Sequence, residues 1–356
     1  MVDDRPQEFH RRFYTSGDTA VDAKILEVLS DFPDNFDREL LTELITSAYR
    51  LGKDDASTID LKIINSAVKE LRYAFKIFQP YRHLPKVAMF GSARTSAEHP
   101  AYAMGREFGR LMVKANWMVI TGAASGIMGA GNEGAGADGS FGLNIRLPFE
   151  QEANVVMAED HKLINFKYFF TRKLLFLKES QATVLFPGGF GTLDEGFECL
   201  TLVQTGKAAP RPVVFVDLPD GHFWKPLLDF FESRFIAEGM ISPTDRALYQ
   251  VATSAQEAVD KVCGFYRVYH SMRYVDRRTV LRLNKRLPES FVNRLSAEFK
   301  DTVNSGEIVQ TEALPEELES QGDEPELRPL SRLVLDFDRH SYGRLAEMIR
   351  RINSEG

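Results

Sequence analysis

The chain has 356 residues, of which 44% are hydrophobic and 27% are charged, as in a globular protein of one large domain or two domains. Its formal net charge of −7 argues against non-specific nucleic-acid binding, which needs a basic surface. The two cysteines, Cys199 and Cys263, fit no zinc-binding pattern, and the seven histidines show no metal-binding spacing, so we expect no metal.

The first part of the chain, residues 1–84, is polar and has helical periodicity. Its first thirteen residues lack the apolar segment of a signal peptide, and no apolar run approaches the roughly 18 residues of a membrane span. Amphipathic spacing predicts helices over 20–29, 39–51 and 61–78. We therefore expect a cytoplasmic protein, without a membrane partner, whose N-terminal helical arm packs against a main domain or a second subunit.

From Lys86 onward, strand and helix patterns alternate, which is typical of a doubly wound parallel sheet. We therefore predict a Rossmann-like α/β domain over residues 85–270, with ligands bound beyond the carboxyl ends of its strands. The predicted strands are 87–90, 117–121, 141–147, 154–157, 182–186, 212–216 and 248–252. The predicted helices are 102–114, one near 128, 162–179, one after 192, 223–237 and 255–269.

Residues 271–356 form a small predicted α+β appendage. The pattern indicates a helix over 280–300, a strand over 333–337 and a helix over 342–352. Residues 307–326 carry eight acidic residues and no Lys or Arg, so we expect a solvated or partly disordered acidic loop there.

The segment Pro187–Glu195, with the sequence PGGFGTLDE, follows an apolar strand and opens a helix. Its three glycines, Gly188, Gly189 and Gly191, let a ligand approach the backbone. The amide groups and the positive end of the helix dipole would face that ligand together. The turn is therefore predicted to bind an anion, phosphate above all.

Glu195 has two interpretations on spacing alone. Thr192 and Glu195 fit a capping box, in which Glu195 reaches back to the amide of the helix cap. Alternatively, Glu195 lies on the first helical turn beside the anion, where its carboxylate would hold a ribose hydroxyl or a water and stabilise a developing sugar cation.

The position of Arg172 along the preceding helix indicates that it lies near the glycine turn. It precedes Ser180 by roughly 12 Å of helix at about 1.5 Å per residue, and the following strand advances roughly 13 Å in the opposite direction. Arg172 should therefore lie level with Thr192 and Glu195, and a buried Arg–carboxylate pair would keep Glu195 ionised. Lys173 should point in another direction, since helical neighbours lie about 100° apart. The alternative is a surface Arg-Lys pair.

Two further glycine turns follow predicted strands. After the first strand, Ser92 and Arg94 are candidates for phosphate or ribose contacts, or equally for a turn residue and a surface charge. After the second strand, residues 122–129 could admit a nucleotide. The GxGxxG match at 129–134 lies too far into the helix to indicate a dinucleotide site. No GK[ST] follows a glycine loop, which argues against an NTPase.

These motifs resemble the Lonely Guy (LOG) family, long described as possible lysine decarboxylases. Pro187–Glu195 fits its PGGxGTxxE signature at every fixed position, and Arg172-Lys173 matches the upstream Arg-Lys pair. Gly91-Ser92 matches its early turn, and Gly126–Gly129 its G-[IL]-M-G turn. The resemblance covers about 86–270. This chain departs from many members in having Gly122-Ala123-Ala124-Ser125 in place of a glycine run.

The resemblance implies an N-glycosidase that splits nucleoside 5′-monophosphates into free base and ribose 5-phosphate, without a cofactor. In such enzymes AMP-like cytokinin riboside monophosphates give active cytokinin. Arg172 and Glu195 would be catalytic. The resemblance also implies that the chain forms a homodimer or a higher homo-oligomer. The alternative is a non-catalytic nucleotide or molybdenum-cofactor carrier on the same fold. The implied substrate-binding residues are Gly91, Ser92, Arg94, Gly126, Met128, Lys173, Gly188, Gly189, Gly191 and Thr192.

Overall fold

The computed structural model describes residues 14–34, 36–147, 152–318 and 325–356. Contacts within the chain define two units, one of Met1–Lys69 with Pro315–Glu324 and one of Glu70–Leu314 with Pro325–Gly356. The domain boundaries predicted at residues 84 and 270 stay predictions. The signal-peptide prediction concerns residues 1–13, which lie outside the described residues.

The first unit is helical, as the amphipathic pattern of the N-terminal arm predicts. The side chain of Asp18 accepts hydrogen bonds from the amides of Ala20 and Val21 and so caps the first helix. The helices of this unit are α1 (Thr19–Val28), α2 (Phe36–Lys53), α3 (Thr58–Phe78), which continues into the second unit, and α11 (Pro315–Leu318). No helix in the described ranges is both long enough and apolar enough to span a membrane.

The second unit is built on a seven-stranded sheet in which every neighbouring pair of strands is parallel. The strand order is β4-β3-β2-β1-β5-β6-β7, which confirms the predicted doubly wound, Rossmann-like fold. The strands are β1 (Lys86–Phe90), β2 (Met118–Thr121), β3 (Ser140–Ile145), β4 (Leu163–Phe166), β5 (Ala182–Leu185), β6 (Val213–Val216) and β7 (Gln250–Ala252).

Helices cover both faces of this sheet. Alternate residues of β1 point to opposite faces, so Ala88 and Phe90 pack in one core cluster and Val87 and Met89 in the other. The helices of the second unit that follow α3 are α4 (Pro100–Lys114), α5 (Ile127–Ala135), α6 (Phe169–Lys178), α7 (Phe190–Gln204), α8 (Lys225–Phe230), α9 (Ala255–Gly264), α10 (Glu289–Glu298) and α12 (Tyr342–Glu355).

A smaller antiparallel sheet forms the predicted α+β appendage. Its strand order is β10-β11-β9-β8, with β8 (Tyr269–Val275), β9 (Arg278–Leu283), β10 (Val309–Thr311) and β11 (Ser331–Leu335). Leu281 and Leu333 of this sheet share a buried core with Leu295 of α10 and Ile349 of α12. The appendage therefore has its own hydrophobic core.

The strand order changes direction between β1 and β5, which lie side by side although β2, β3 and β4 separate them along the chain. The turns that follow these two strands meet at the carboxyl edge of the sheet. The amide of Ser92, after β1, donates to the carbonyl of Pro187, after β5, at 3.0 Å. A crevice at such a switch point is where doubly wound sheets bind ligands.

One predicted strand is wrong. Residues 154–157 form a turn, because the Asn154 side chain accepts from the amides of Val156 and Met157 and so closes the chain locally. The fourth strand is instead Leu163–Phe166, at the start of the helix predicted over 162–179, which begins only at Phe169. An apolar strand that runs directly into an apolar helix gives no break in the pattern.

The predicted helix over 280–300 is also wrong in its first part, where Arg278–Leu283 is the strand β9 and only Glu289–Glu298 is helical. Since β9 is paired on both sides and buried, its sequence shows no alternation. The helix predicted to 269 ends at Gly264, and Tyr269 opens β8. The acidic segment contains β10 and α11, and its residues 319–324 lie outside the described residues.

Candidate active site

The glycine turn after β5 places the start of α7 at the switch point. Gly189 is the residue before the first helical turn, which begins at Phe190. A Cβ at Gly188 would lie 2.1 Å from Thr192 Oγ1 and 3.0 Å from the Ser92 amide, so only glycine fits there. Open space surrounds the Cβ positions of Gly189 and Gly191. The amides that open α7 are therefore accessible to an anion.

The helix start decides between the two interpretations of Glu195. Thr192 is already the third helical residue, and no side chain caps α7. Glu195 lies in the second helical turn and not the first, so it cannot reach a cap amide. The capping box is therefore absent, and Glu195 is buried at 6% exposure.

Glu195 lies between two cations of α6. Its Oε1 is 3.6 Å from Nη2 of Arg172, and its Oε2 is 3.3 Å from Nζ of Lys173. Within the described residues, neither Glu195 Oε1 nor Arg172 Nε has a hydrogen-bond partner, although both atoms are buried. Buried polar atoms without partners are costly, so these two atoms mark a place for a ligand or water.

The expectation that Lys173 points in another direction from Arg172 is wrong, because its ammonium group also contacts Glu195. Its Nζ also lies 3.0 Å from Asp194 Oδ2 and 2.8 Å from Glu198 Oε2. The flexible lysine stem spans the angle between neighbouring helical positions. Lys173 is therefore a paired cation that holds three carboxylates of α7, and it is less suited to direct substrate binding than the sequence suggests.

Burial and charge act against each other at this cluster. Burial raises the pKa of Glu195 above its usual range, although Lys173 and Arg172 both act to lower it. Burial also lowers the pKa of Arg172, against the attraction of Glu195. For Lys173 the carboxylates, with Glu198 foremost, outweigh burial and its pKa is raised. The positive charges of Lys173 and Arg172 therefore only partly offset the rise that burial causes in the pKa of Glu195.

The Arg172 guanidinium packs against two aromatic rings of α6 and lies close to the turn that follows β2. Its guanidinium carbon lies 5.0 Å from the ring centre of Phe169 and 5.7 Å from that of Phe176. A Cβ at Gly122 would lie 3.9 Å from Arg172 Nη1, so Gly122 is close to the guanidinium. This contact was not expected, and only the position of Gly122 directly after β2 hints at it.

The turn between β2 and α5 also reaches the switch point. Gly126 has φ of 65°, and a Cβ there would lie 2.3 Å from the Ser92 carbonyl oxygen. The Ile127 amide donates to the same carbonyl at 3.0 Å. The structure therefore brings Gly91, Ser92 and Gly126 together, and Met128 lies half-buried beside Gly122.

Ser92 and Arg94 differ in their positions. Ser92 Oγ accepts from the Arg94 amide at 3.1 Å, which is the turn role that the sequence left open. The Arg94 side chain is exposed and has no ion pair within the described residues. The structure does not bring Arg94 against Glu195 or Arg172.

The GxGxxG match lies inside α5, as its distance from β2 predicts, and its glycines serve helix packing. A Cβ at Gly134 would lie 1.8 Å from the Arg106 carbonyl oxygen of α4. A polar network that the sequence analysis missed lies nearby. Asn132 Oδ1 accepts from Thr121 Oγ1 at 2.7 Å and from Asn154 Nδ2 at 3.0 Å, and this network supports the β2–α5 turn.

Comparison with known proteins finds one matching family model. Residues 128–262 match the family described as possible lysine decarboxylase. A probable cytokinin riboside 5′-monophosphate phosphoribohydrolase of Oryza sativa subsp. japonica is 37% identical over 28% of this chain. A cytokinin riboside 5′-monophosphate phosphoribohydrolase of Arabidopsis thaliana is 38% identical over 26%. The matches span only 44% and 40% of those relatives' lengths.

Among solved structures, the molybdenum cofactor carrier protein of Chlamydomonas reinhardtii is 21% identical, with a TM-score of 0.33. The match covers 49% of this chain and 94% of that protein.

Proposed function

We propose that this chain is a nucleotide phosphoribohydrolase, because residues 128–262 match the possible lysine decarboxylase family and its similar relatives include cytokinin riboside 5′-monophosphate phosphoribohydrolases. It would hydrolyse the N-glycosidic bond of AMP-like nucleoside 5′-monophosphates, cytokinin riboside monophosphates among them, to free base and ribose 5-phosphate. We further propose that it acts in the cytoplasm as a homodimer or higher oligomer.

One observation carries this proposal. Glu195 is a buried carboxylate whose Oε1 lacks a hydrogen-bond partner in the described chain, although Arg172 lies within 3.6 Å. It lies one helical turn beyond Thr192, next to the accessible amides that open α7. An anion site beside an unsatisfied carboxylate suits a ribose 5-phosphate, in which the phosphate and the sugar hydroxyls are close neighbours.

Binding would begin at the glycine turn. The 5′-phosphate accepts hydrogen bonds from amides of residues 188–191 and gains from the positive end of the α7 dipole. The Thr192 amide already donates to the Gly189 carbonyl at 3.0 Å. Ser92 borders the turn and Gly126 packs against Ser92, while the Arg94 side chain is exposed. The sugar then lies over Glu195.

The chemical step breaks the bond between C1′ and the base nitrogen. The bonding electron pair leaves with the base, and the sugar gains oxocarbenium character that the Glu195 carboxylate stabilises. A water oxygen bonds to C1′ and one water proton passes to Glu195. The departing nitrogen takes up a proton from solvent, and Glu195 returns its proton to solvent, so that one water is consumed in each turnover. Arg172 orients Glu195 and offsets negative charge on the substrate or the leaving base. The raised pKa of Glu195 makes it a better proton acceptor than an ordinary carboxylate.

The test is base release from AMP, GMP, CMP and an N6-substituted AMP, followed by chromatography. Glu195→Gln should lower the rate by about 10²- to 10⁴-fold, since it removes the charge and keeps the shape. Asp194→Asn is the matched control, because Asp194 also contacts Lys173 but its side chain is 55% exposed. It should keep most of the activity.

A non-catalytic carrier on this fold would give a different result. It would bind nucleotides, or the molybdenum cofactor, without releasing base, and Glu195→Gln would leave that binding largely intact. Failure of the wild-type chain to release base from any of the four nucleotides would overturn the proposed hydrolase.

A further inference from the structure

A cavity of about 440 Å³ lies between the main sheet and the appendage of the second unit. The end of α6, the connection between α7 and β6, and the strand β8 form its walls. Its lining includes none of the residues assigned above to the candidate active site. The volume is in the range of small-molecule sites, which are usually about 300–1,000 Å³.

The lining is basic. Four of its side chains, Lys178, Lys207, Arg211 and His270, carry or can carry positive charge, and the lining contains no Asp or Glu. In a chain of net charge −7, this concentration of one sign is unusual. A pocket that gathers cations without acids favours an anionic ligand.

Two of these cations lack a carboxylate partner. The Arg211 guanidinium donates to the Leu177 carbonyl at 3.0 Å, and among the described residues no carboxylate pairs with Arg211 or Lys207. Lys178 does pair, with Glu179 at 2.5 Å, but that acid is outside the lining. Arg211 is half-buried and is oriented by its hydrogen bond, whereas Lys207 is exposed and free to move onto a ligand.

The remaining wall is mainly aromatic and apolar, with Ser180, Gln181 and Ser271 as its polar residues. Tyr266 and Tyr269 have ring centres 6.0 Å apart, and the Tyr266 hydroxyl donates to the Gln181 carbonyl at 2.6 Å. Leu174, Leu177 and Met272 complete this side. A ligand with a phosphate at one end and an apolar or ring part at the other would place the phosphate at the basic wall and the ring at the aromatic wall.

We propose that this cavity binds a small phosphorylated metabolite, with Arg211 and Lys207 as its phosphate ligands. The site is linked to the candidate active site through α6. Lys178 lies less than two helical turns from Arg172, about 9 Å along the axis. The α7–β6 connection likewise continues the helix that carries Glu195. In an active chain, ligand binding at this cavity changes the rate of base release through these shared helices, a consequence that rests on the proposed function.

The experiment is calorimetric titration of the full chain with pyrophosphate and with inorganic phosphate. The wild-type chain should bind pyrophosphate, and Lys207→Glu and Arg211→Gln should each weaken that binding at least tenfold. Lys300→Glu is the matched control, since it makes the same charge change at an exposed lysine just after α10 that is not part of the lining. Because Lys207 is exposed, its replacement tests the site without risk to the fold.

Equal pyrophosphate affinities in Lys207→Glu and Lys300→Glu would overturn the proposal, as would the absence of pyrophosphate binding by the wild-type chain. Binding that depends on Lys207 supports the site whether or not the chain hydrolyses nucleotides. In an active chain, the same variant should keep its basal rate of base release and lose any change of that rate on addition of pyrophosphate. At saturating substrate, where pyrophosphate is outcompeted at the glycine turn, a pyrophosphate effect that survives in Lys207→Glu would overturn the regulatory link.

Discussion

The pKa of the Glu195 carboxylate depends on two opposing effects, burial and the positive charges beside it. Burial raises its pKa, and Lys173 and then Arg172 act against that rise. Lys173 is fixed by Asp194 and Glu198, so its charge stays beside Glu195. Lys173 therefore acts as a positioning residue for the carboxylate.

The acid limb of the pH–rate profile should report this balance. If ionised Glu195 is required, kcat/KM should fall as pH decreases through a pKa above the ordinary value of a glutamate. Lys173→Met removes the positive charge that lowers the pKa of Glu195, so the acid limb of the profile should move to still higher pH. Lys225→Met, at an exposed lysine paired with Asp229, should leave the limb where it is. An unchanged limb in Lys173→Met would contradict the role of Lys173.

Ala123 carries the strain of the β2–α5 turn. Its φ is 57°, a left-handed conformation that costs a residue with a Cβ roughly 1–2 kcal/mol. The Gly122-Ala123-Ala124-Ser125 turn therefore has a structural cost at its second residue.

Ala123→Gly should relieve that strain. Both Ala123 and its neighbour Ala124 are buried, so each change to glycine loses a similar methyl contact, but only position 123 has a positive φ. The free energy of unfolding of Ala123→Gly should therefore exceed that of Ala124→Gly by about 1 kcal/mol. Chemical denaturation would measure the difference, and equal stabilities would show that the turn is not strained.

At the scale of elements, the start of α7 depends on one close approach. Gly188 lies against Thr192 and the Ser92 amide, whereas Gly191 has open space around its Cβ position. Gly188→Ala should force the β1 and β5 turns apart, and so lower both the melting temperature and the activity. Gly191→Ala should raise or maintain the melting temperature, since alanine is favoured over glycine within a helix by about 1 kcal/mol. Thermal unfolding of the two variants tests this, and similar losses in both would contradict the steric explanation.

The sequence predicts this fold where its patterns are local. Strand and glycine turn recur in order, so β1, β2 and β5 and the approach of Arg172 to Glu195 follow from chain distances. The strand β4 is missed because Leu163–Phe166 leads directly into an apolar helix. Lys173 is misjudged because a Cβ direction does not fix the end of a long side chain. These misses depend on tertiary contacts that no local pattern contains.

At the scale of the whole molecule, large apolar side chains remain exposed around the candidate site. Phe170 at the start of α6 is 53% exposed, and Phe190 at the start of α7 is 92% exposed. Exposed aromatic groups near a functional site often mark an interface. They support the proposed oligomer.

Phe170→Glu and Phe190→Glu should therefore shift the chain toward monomers, since burial of each phenylalanine would contribute about 1.5–3 kcal/mol to association. Light scattering after size-exclusion chromatography would measure the mass. Val309→Glu, at a 55% exposed valine of the appendage, should leave the mass unchanged. A monomeric wild-type chain would contradict the oligomer.

The strand order also governs when the site can form during synthesis. β1 leaves the ribosome early, but its neighbour β5 emerges only after β2, β3, β4 and α6 have been made. Non-local pairings of this kind slow folding, because the intervening chain must be closed into a loop first. The β1 edge that will border β5 therefore stays unpaired in the nascent chain. A nascent chain truncated before β5 should lack the candidate site and have an exposed strand edge, which makes it a target for chaperones.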